Sequence, residues 1–250
     1  MGVTRNIVFD GESFALVGRE GDSYFENAAP DQPFSYAIGK LTPGSVVFDV
    51  GANIGMTAVI SARKAEKVYA FEPDPTVFGL LEKTVAANGG AVETLNTALG
   101  DQEGQLSFFS NSTSASASHL VTAATLGQRE ATSRVPVTTV DAFVKHSRVE
   151  RLDLIKIDVE GFEIDVLRGA SESIQRFKPA ALVEFNAFTM VGFRDVNPRD
   201  LLRLLRETFP NVYRFKAGAP VAIGGDDDAL AFIHDNLVSA GCVDDLYCSF

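Results

Sequence analysis

The chain has 250 residues, of which 22 are basic and 33 acidic, for a formal net charge of −11, and 46% are apolar. That balance repels nucleic-acid backbones and anionic membrane surfaces, and no stretch approaches the roughly 20 apolar residues of a membrane helix. With no apolar leader core at the N-terminus, and with Cys242 and Cys248 lacking clustered metal ligands, a cytoplasmic protein with reduced, structural thiols is expected.

Residues 1–44 read as a small cap ahead of one globular unit spanning 45–250. IVFDGESFALVG alternates as a hairpin turning at Asp10-Gly11, and a short helical piece around Pro33–Lys40 follows. Two roles stay open for this cap: covering a substrate, or shielding a sheet edge.

From Ser45 to Pro73 the chain reads strand, glycine turn, helix, strand. Val46, Val47 and Phe48 suit a strand buried on both faces. Asp49-Val-Gly51-Ala-Asn53-Ile-Gly55 breaks that run, and the glycines permit a sharp turn with a ligand against the backbone. Glu72, at the tip of VYAFE, is placed to accept from a ribose diol. A dinucleotide fingerprint would need G-x-G-x-x-G, but Asp49 stands two residues before Gly51 and would repel a pyrophosphate. An adenosine carrying a cationic amino acid fits instead, and S-adenosylmethionine is such a ligand.

Pro73-Asp74-Pro75 starts a helix with Val77, Leu80, Leu81 and Val85 at helical spacing. VETLNTALG reads as the third strand of the sheet, carrying Leu99 and Asp101 to the same edge as Glu72. GQLSFFS is an extra strand, and Ser110–Ser118 is a small, polar loop read as a substrate-side lid. His119 at its end is a candidate general base, set against the plainer reading of a surface histidine. VPVTT and Val140–His146 follow as a strand and a short helix.

LDLIKI (Leu152–Ile157) reads as a central strand with Leu154, Lys156 and Asp158 on one side. A buried lysine needs a partner, which Asp158 or Glu160 would supply as a structural ion pair. Gly161 turns the chain into a helix over Glu163–Ala170, and ALVEF presents Glu184 and Asn186 at its tip. One sheet edge thus gathers Asp158, Glu160, Glu184 and Asn186, oxygen donors of the kind that suit Mg²⁺. Pro198–Phe209 is an amphipathic helix with Leu201, Leu204 and Leu205 inward, NVYRF a strand, Asp226–Asp228 a solvated acidic turn, and Asp244–Phe250 a last strand.

The stretches VVFDVGANIG, FEP (71–73), NTALGD (96–101), IKIDVEGFEIDVLRGA (155–170) and VEFN (183–186) resemble the FkbM-type S-adenosylmethionine-dependent methyltransferases, from about residue 40 to about residue 215. The resemblance implies an α/β, Rossmann-like class I methyltransferase sandwich, with a mostly parallel central sheet, helices on both faces and the small N-terminal cap. It implies that Asp49, Gly51, Asn53, Gly55, Glu72 and Asp158 hold the cofactor, with Leu99 and Asp101 on the adenine side. The acceptor would be a hydroxyl of a sugar, glycan precursor or secondary metabolite. Asp158, Glu184 and Asn186 further resemble the ion-holding set of the metal-dependent small-molecule O-methyltransferases, although Glu-x-Asn departs from their Asp-Asn pair. Asp158, Lys156, Glu160 and His119 are the candidates for handling the proton, and the sequence does not choose among them. A non-catalytic nucleoside-binding module and an NAD-linked oxidoreductase are the rival readings. The sequence leaves the oligomeric state unknown, a homodimer being one option.

Overall fold

The computed structural model describes residues 2–109, the backbone of 119–121, and 133–250. The serine-rich segment 110–118, read as a lid, lies outside the described residues. The chain opens with β1 (Val3–Phe9) and β2 (Glu12–Gly18), an antiparallel hairpin turning at Asp10-Gly11. Then come α1 (Ser23–Asn27), capped by Asp22, and α2 (Gln32–Gly39), capped by Asp31. The nucleotide-type unit is β3 (Val46–Val50), α3 (Met56–Ser61), β4 (Lys67–Phe71), α4 (Pro75–Asn88) and β5 (Val92–Leu95). Helix α4 starts where Pro75 supplies a preset φ and the Asp74 carboxylate accepts from the N–H groups of Thr76 and Val77.

A second, four-stranded sheet interrupts the main one. It contains β6 (Ala98–Leu99), β7 (Gly104–Phe109), β8 (His119–Val121) and β9 (Ser133–Thr138), in the order β6-β9-β7-β8. The remaining elements are α5 (Val140–His146), β10 (Leu154–Ile157), α6 (Glu163–Arg168), α7 (Ser171–Phe177), β11 (Ala180–Asn186), α8 (Ala187–Arg194), α9 (Pro198–Thr208), β12 (Asn211–Lys216), β13 (Ala219–Ala222), α10 (Asp226–Val238) and β14 (Val243–Ser249). The main sheet runs β13-β12-β14-β11-β10-β3-β4-β5. Strands β11, β10, β3, β4 and β5 are mutually parallel, while β14 is antiparallel to both β11 and β12.

Side-chain alternation splits the core between the two faces of this sheet. Phe48, Ile155, Ile157 and Val183 face a layer that includes Phe143, Leu167, Leu205 and Phe232. Val47, Leu154 and Leu182 face a layer built from α3, α4 and the N-terminal segment, including Phe14, Phe25, Phe34 and Ile38. The hairpin therefore does not shield a sheet edge. It lies against α4, where Val17 N–H donates to Thr84 Oγ1 at 3.0 Å and Asn88 exchanges hydrogen bonds with the backbone of Ala15.

Four further sequence expectations are corrected. The third strand stops at Leu95, because Asn96 Nδ2 donates to the carbonyls of Glu72 (2.9 Å) and Pro73 (3.1 Å), and Ala98-Leu99 then pair with β9. The helix expected over Glu163–Ala170 ends at Arg168, and α7 starts afresh at Ser171. On α9 the fully buried leucines are 201, 202 and 205, with Leu204 only partly buried. Asp226–Asp228 is exposed as expected, but it is the first turn of α10 rather than a free turn; Asp228 accepts from the N–H groups of Gly224 and Gly225 while Phe232 and Asn236 sink into the core.

Candidate active site at the carboxyl edge of the sheet

The chain runs outward through β3, β4 and β5, then returns to lay β10 and β11 on the other side of β3. The crevice between β3 and β10, beyond their carboxyl ends, is the place where open α/β sheets bind ligands. Parallel register sets Asp49 beside Lys156, and both side chains lie on the face covered by the N-terminal segment. Lys156 Nζ sits 3.1 Å from Asp158 Oδ2 and 3.6 Å from Asp49 Oδ1, and Thr57 Oγ1 donates to Asp49 Oδ2 at 2.5 Å. The lysine partner read from sequence, Asp158, is thus joined by Asp49 rather than by Glu160. Two neighbouring carboxylates more than offset the desolvation of the ammonium, so its pKa stands above the ordinary lysine value. Lys156 thus stands as a cation between two carboxylates. Asp49, 1% exposed, has its charge answered by Lys156 rather than left open for a ligand, although its Oδ1 has no hydrogen-bond donor.

Gly51 adopts φ +80°, and a Cβ there would stand 1.8 Å from the carbonyl oxygen of Asp158. What demands glycine here is the protein's own backbone crossing from β10. Gly55 adopts φ +92°, a backbone conformation that favours glycine, with the tip of Leu81 from α4 packed against it.

Glu72 is 7% exposed, and both of its carboxylate oxygens are already held: Oε2 accepts from Asn53 N–H at 3.0 Å and Oε1 from Asp74 N–H at 2.8 Å. Burial pushes its pKa up to about 8 despite those donors. Each oxygen keeps a second lone pair, so a diol can still be accepted. Tyr24 on α1 was missed by sequence reasoning. The charges of Lys156, Asp158, Asp49 and Glu72 all act on its phenol, whose pKa is raised chiefly by burial. Helix α1 is pinned by Phe25, which fills the space beside Gly18, and by Arg5, which donates to the carbonyls of Glu26 and Ala28. Only the Asp22 cap signals this helix in the sequence, and nothing there shows which way Tyr24 points.

Beyond β10 and β11 lies a second group of acids. Carboxylate oxygens of Asp158, Glu160 and Glu184 all fall within 4.8 Å of one another. Glu160 occupies the left-handed region at φ +54°, a backbone state that costs a residue with a Cβ about 1 kcal/mol. Burial, then the charges of Asp158 and Glu163, raise Glu160 to about 9. Glu184 is raised well above the ordinary range for the same reasons. Glu163 is fully buried; its Oε1 accepts from the N–H groups of Val159 and Gly161, and burial lifts it to about 7. Asn186 is not part of this group. Its Oδ1 accepts from Thr189 N–H as the cap of α8, while its Nδ2 reaches toward Glu184 Oε2 at 3.4 Å.

Three other expected site residues sit elsewhere. Leu99 is 1% exposed and packed with Phe71 and Phe143, so its side chain is core and presents no surface to an adenine. Asp101 is exposed, and its charge is felt at Asp165. His119 opens β8, opposite Phe109 in the second sheet; its side chain lies outside the description.

The methyltransferase FkbM domain family matches residues 49–236, three quarters of the chain. The protein belongs to this FkbM family. Hexuronic acid methyltransferase AglP of Haloferax volcanii is 32% identical over 162 residues, 65% of this chain and 62% of that protein. The FkbM-family chain spans under two thirds of the length of the first curated relatives it matches. Among solved structures, methyltransferase FkbM from Methylobacillus flagellatus superposes with a TM-score of 0.53 at 16% identity, over 90% of this chain and 49% of that one. The 16S rRNA N2 G1207 methyltransferase RsmC of T. Thermophilus, solved with AdoMet and guanosine, gives 0.52 at 14% identity, over 99% of this chain and 50% of that one. The fold is the Rossmann-like class I methyltransferase fold. No helix among the described residues is long and apolar enough to cross a membrane.

Proposed function

We propose that this FkbM-family protein transfers a methyl group from S-adenosylmethionine to a hydroxyl oxygen of a small molecule, with a sugar or secondary metabolite as acceptor. The observation that carries this reading is the convergence of the Asp49–Gly51 turn, Glu72 and Asp158 at one switch point of the sheet. The residues present fit the cofactor. Glu72 lies buried at the tip of β4 with acceptor capacity for a ribose diol, and acids outnumber the one lysine in the crevice, which favours a ligand carrying ammonium and sulfonium. The name of the Haloferax relative, a hexuronic acid methyltransferase, supports a sugar acceptor.

When bound, the cofactor supplies an electrophilic methyl group on a good leaving group, so the chain's own part is alignment and proton removal. Glu72 would orient the ribose, and Tyr24 would close the crevice from the N-terminal side, which favours the substrate-covering role of that segment. Lys156, held protonated between Asp49 and Asp158, fixes both carboxylates without taking a proton itself. The proton leaving the acceptor would pass to whichever of Asp158, Glu160 and Glu184 is ionised. Glu160, at about 9, keeps its own proton at neutral pH.

Calorimetric titration with S-adenosylhomocysteine, run beside NAD, tests this reading. Micromolar binding of the first and none of the second is expected. Binding of NAD alone would replace methyl transfer by redox chemistry, and binding of neither would remove the cofactor assignment.

A further inference from the structure

We propose that α9 and α10 form a self-association face, through which two copies of this chain pair as a two-fold dimer. This pairing does not depend on the methyl-transfer reading above.

Three observations carry the face. The first is an apolar groove between the two helices, about 490 Å³ in volume, floored by Leu202, Leu230 and Ile233. On α10, Asp226, Leu230, Ile233 and Leu237 recur at i, i+4, i+7 and i+11, which sets them in one row along the helix. Leu230 is 55% exposed and Leu237 50%. A run of apolar side chains left open to water beside a groove marks an interaction surface. The second is the rim. Arg199, Arg203 and Arg206 recur at i, i+4 and i+7 on α9, and neither helix carries a lysine. Protein interfaces are enriched in arginine and depleted in lysine, because a planar guanidinium pairs with carboxylates while its stem lies over apolar neighbours. The third is charge. The groove is lined by three arginines against two acids, Glu207 and Asp226, in a chain with 22 basic and 33 acidic residues. Two such chains repel one another over most of their surface, and a face with a local excess of arginine escapes that repulsion.

The charges on this face are free to change partners. Arg199 makes no ion pair among the described residues. Arg203 pairs with Asp200 on its own helix, and Arg206 with Asp226, whose side chain is 98% exposed. Exposed pairs of this kind contribute little, so their members can be matched again across an interface. A second copy is the occupant that meets both signs at once. Under two-fold symmetry, where Arg203 of one copy meets Asp226 of the other, Asp226 of the first meets Arg203 of the second. One face bearing arginines, acids and an apolar row supplies both sides of that exchange, with the leucines enclosed between them. The dimer also leaves the N-terminal segment clear. Leu205 of α9 and Phe232 of α10 pack on one face of the sheet, and the N-terminal segment covers the other.

Sedimentation equilibrium of the purified chain from about 1 to about 100 µM tests the proposal, with melting temperature as the check on folding. The mass should rise with concentration from 26.8 kDa toward twice that value. Leu230→Glu places a carboxylate in the apolar row and should weaken the dimer by about tenfold or more, while the exposed position keeps the chain folded. Arg203→Glu and Asp226→Arg should each weaken the dimer as well. An equimolar mixture of those two variants should recover it, because each supplies the charge that the other has reversed. A chain that stays monomeric at about 100 µM would leave the face to a different occupant and overturn the proposal. A dimer untouched by Leu230→Glu would do the same, by placing the contact elsewhere on the molecule. Mixed variants that remain monomeric would overturn the arginine–aspartate exchange and with it the two-fold pairing.

Discussion

Two halves of the same sheet edge handle buried negative charge in opposite ways. On the β3–β4 side each carboxylate has a partner built beside it: the Thr57 hydroxyl and the Lys156 ammonium for Asp49, whose Oδ1 still lacks a hydrogen-bond donor, and the backbone N–H groups of Asn53 and Asp74 for Glu72. On the β10–β11 side Asp158, Glu160 and Glu184 face one another, and the buried Glu163 keeps an oxygen without a partner. The first half carries its own counter-charge in Lys156 and its own donors for Glu72. The second takes up protons, burial having raised Glu160 and Glu184. A half with built-in partners suits recognition of an invariant cofactor, and a half that takes up protons suits proton handling.

The largest expected effect breaks the seam that joins the halves. Gly51→Ala would drive a Cβ to 1.8 Å from the Asp158 carbonyl oxygen at a φ of +80°. A loss of about 4 kcal/mol or more is expected, seen as a fall of about 10 °C or more in melting temperature. A shift of only a few degrees would mean that the turn after β10 yields easily and that the two halves are not rigidly coupled.

Lys156→Met comes next, because it leaves Asp49 and Asp158 without their shared cation. Breaking a buried pair in this way costs about 3 kcal/mol. Denaturant unfolding should show the deficit growing with pH, since the abandoned carboxylates can take up protons only in acid. A deficit independent of pH would show that packing of the lysine stem matters more than its charge.

Glu72→Ala addresses the β3–β4 half alone. S-adenosylhomocysteine should bind about tenfold more weakly, or about 1.4 kcal/mol, by calorimetry. Unchanged affinity would detach Glu72 from the ribose.

The pH dependence of stability addresses both halves, through Glu72 in one and Glu160 in the other. Glu160 holds its proton to about 9 and Glu72 to about 8 in the folded chain, against 4.5 when unfolded. Between those limits the folded state binds more protons than the unfolded one, so stability falls as pH rises. The melting temperature of the ligand-free protein should therefore drop steadily from pH 6 to pH 9, and Glu160→Gln should flatten that slope. A slope identical in the variant would mean that Glu160 does not carry the excess proton. The smallest effect is the control: Asp227→Asn should shift stability by no more than about 0.5 kcal/mol in either direction.

How much of this was legible in the sequence follows the range of the interactions involved. Asp49, Gly51, Asn53, Gly55 and Glu72 were legible because a tight turn between a strand and a helix is written in residues a few positions apart. The hairpin at Asp10-Gly11 and the start of α4 at Pro75 were legible for the same reason. Helix α10 was not, because its first turn is three aspartates that look solvated, and only Phe232 and Asn236 meeting the core reveal it as an element. Leu99 was misassigned to an adenine wall because Asn96, tied to the carbonyls of Glu72 and Pro73, turns the chain off the sheet before Ala98.

By itself, the sequence determined the βαβ unit, the family resemblance and the set of acids destined for the sheet edge, since local turn chemistry and strand alternation need no distant partner. Only the tertiary structure decided which charges meet. Lys156 faces Asp49 because parallel register aligns β10 with β3, and Glu160 joins Glu184 because β11 lies beside β10. Pairings between distant segments are set by packing and register, and a residue's neighbours along the chain carry no record of them.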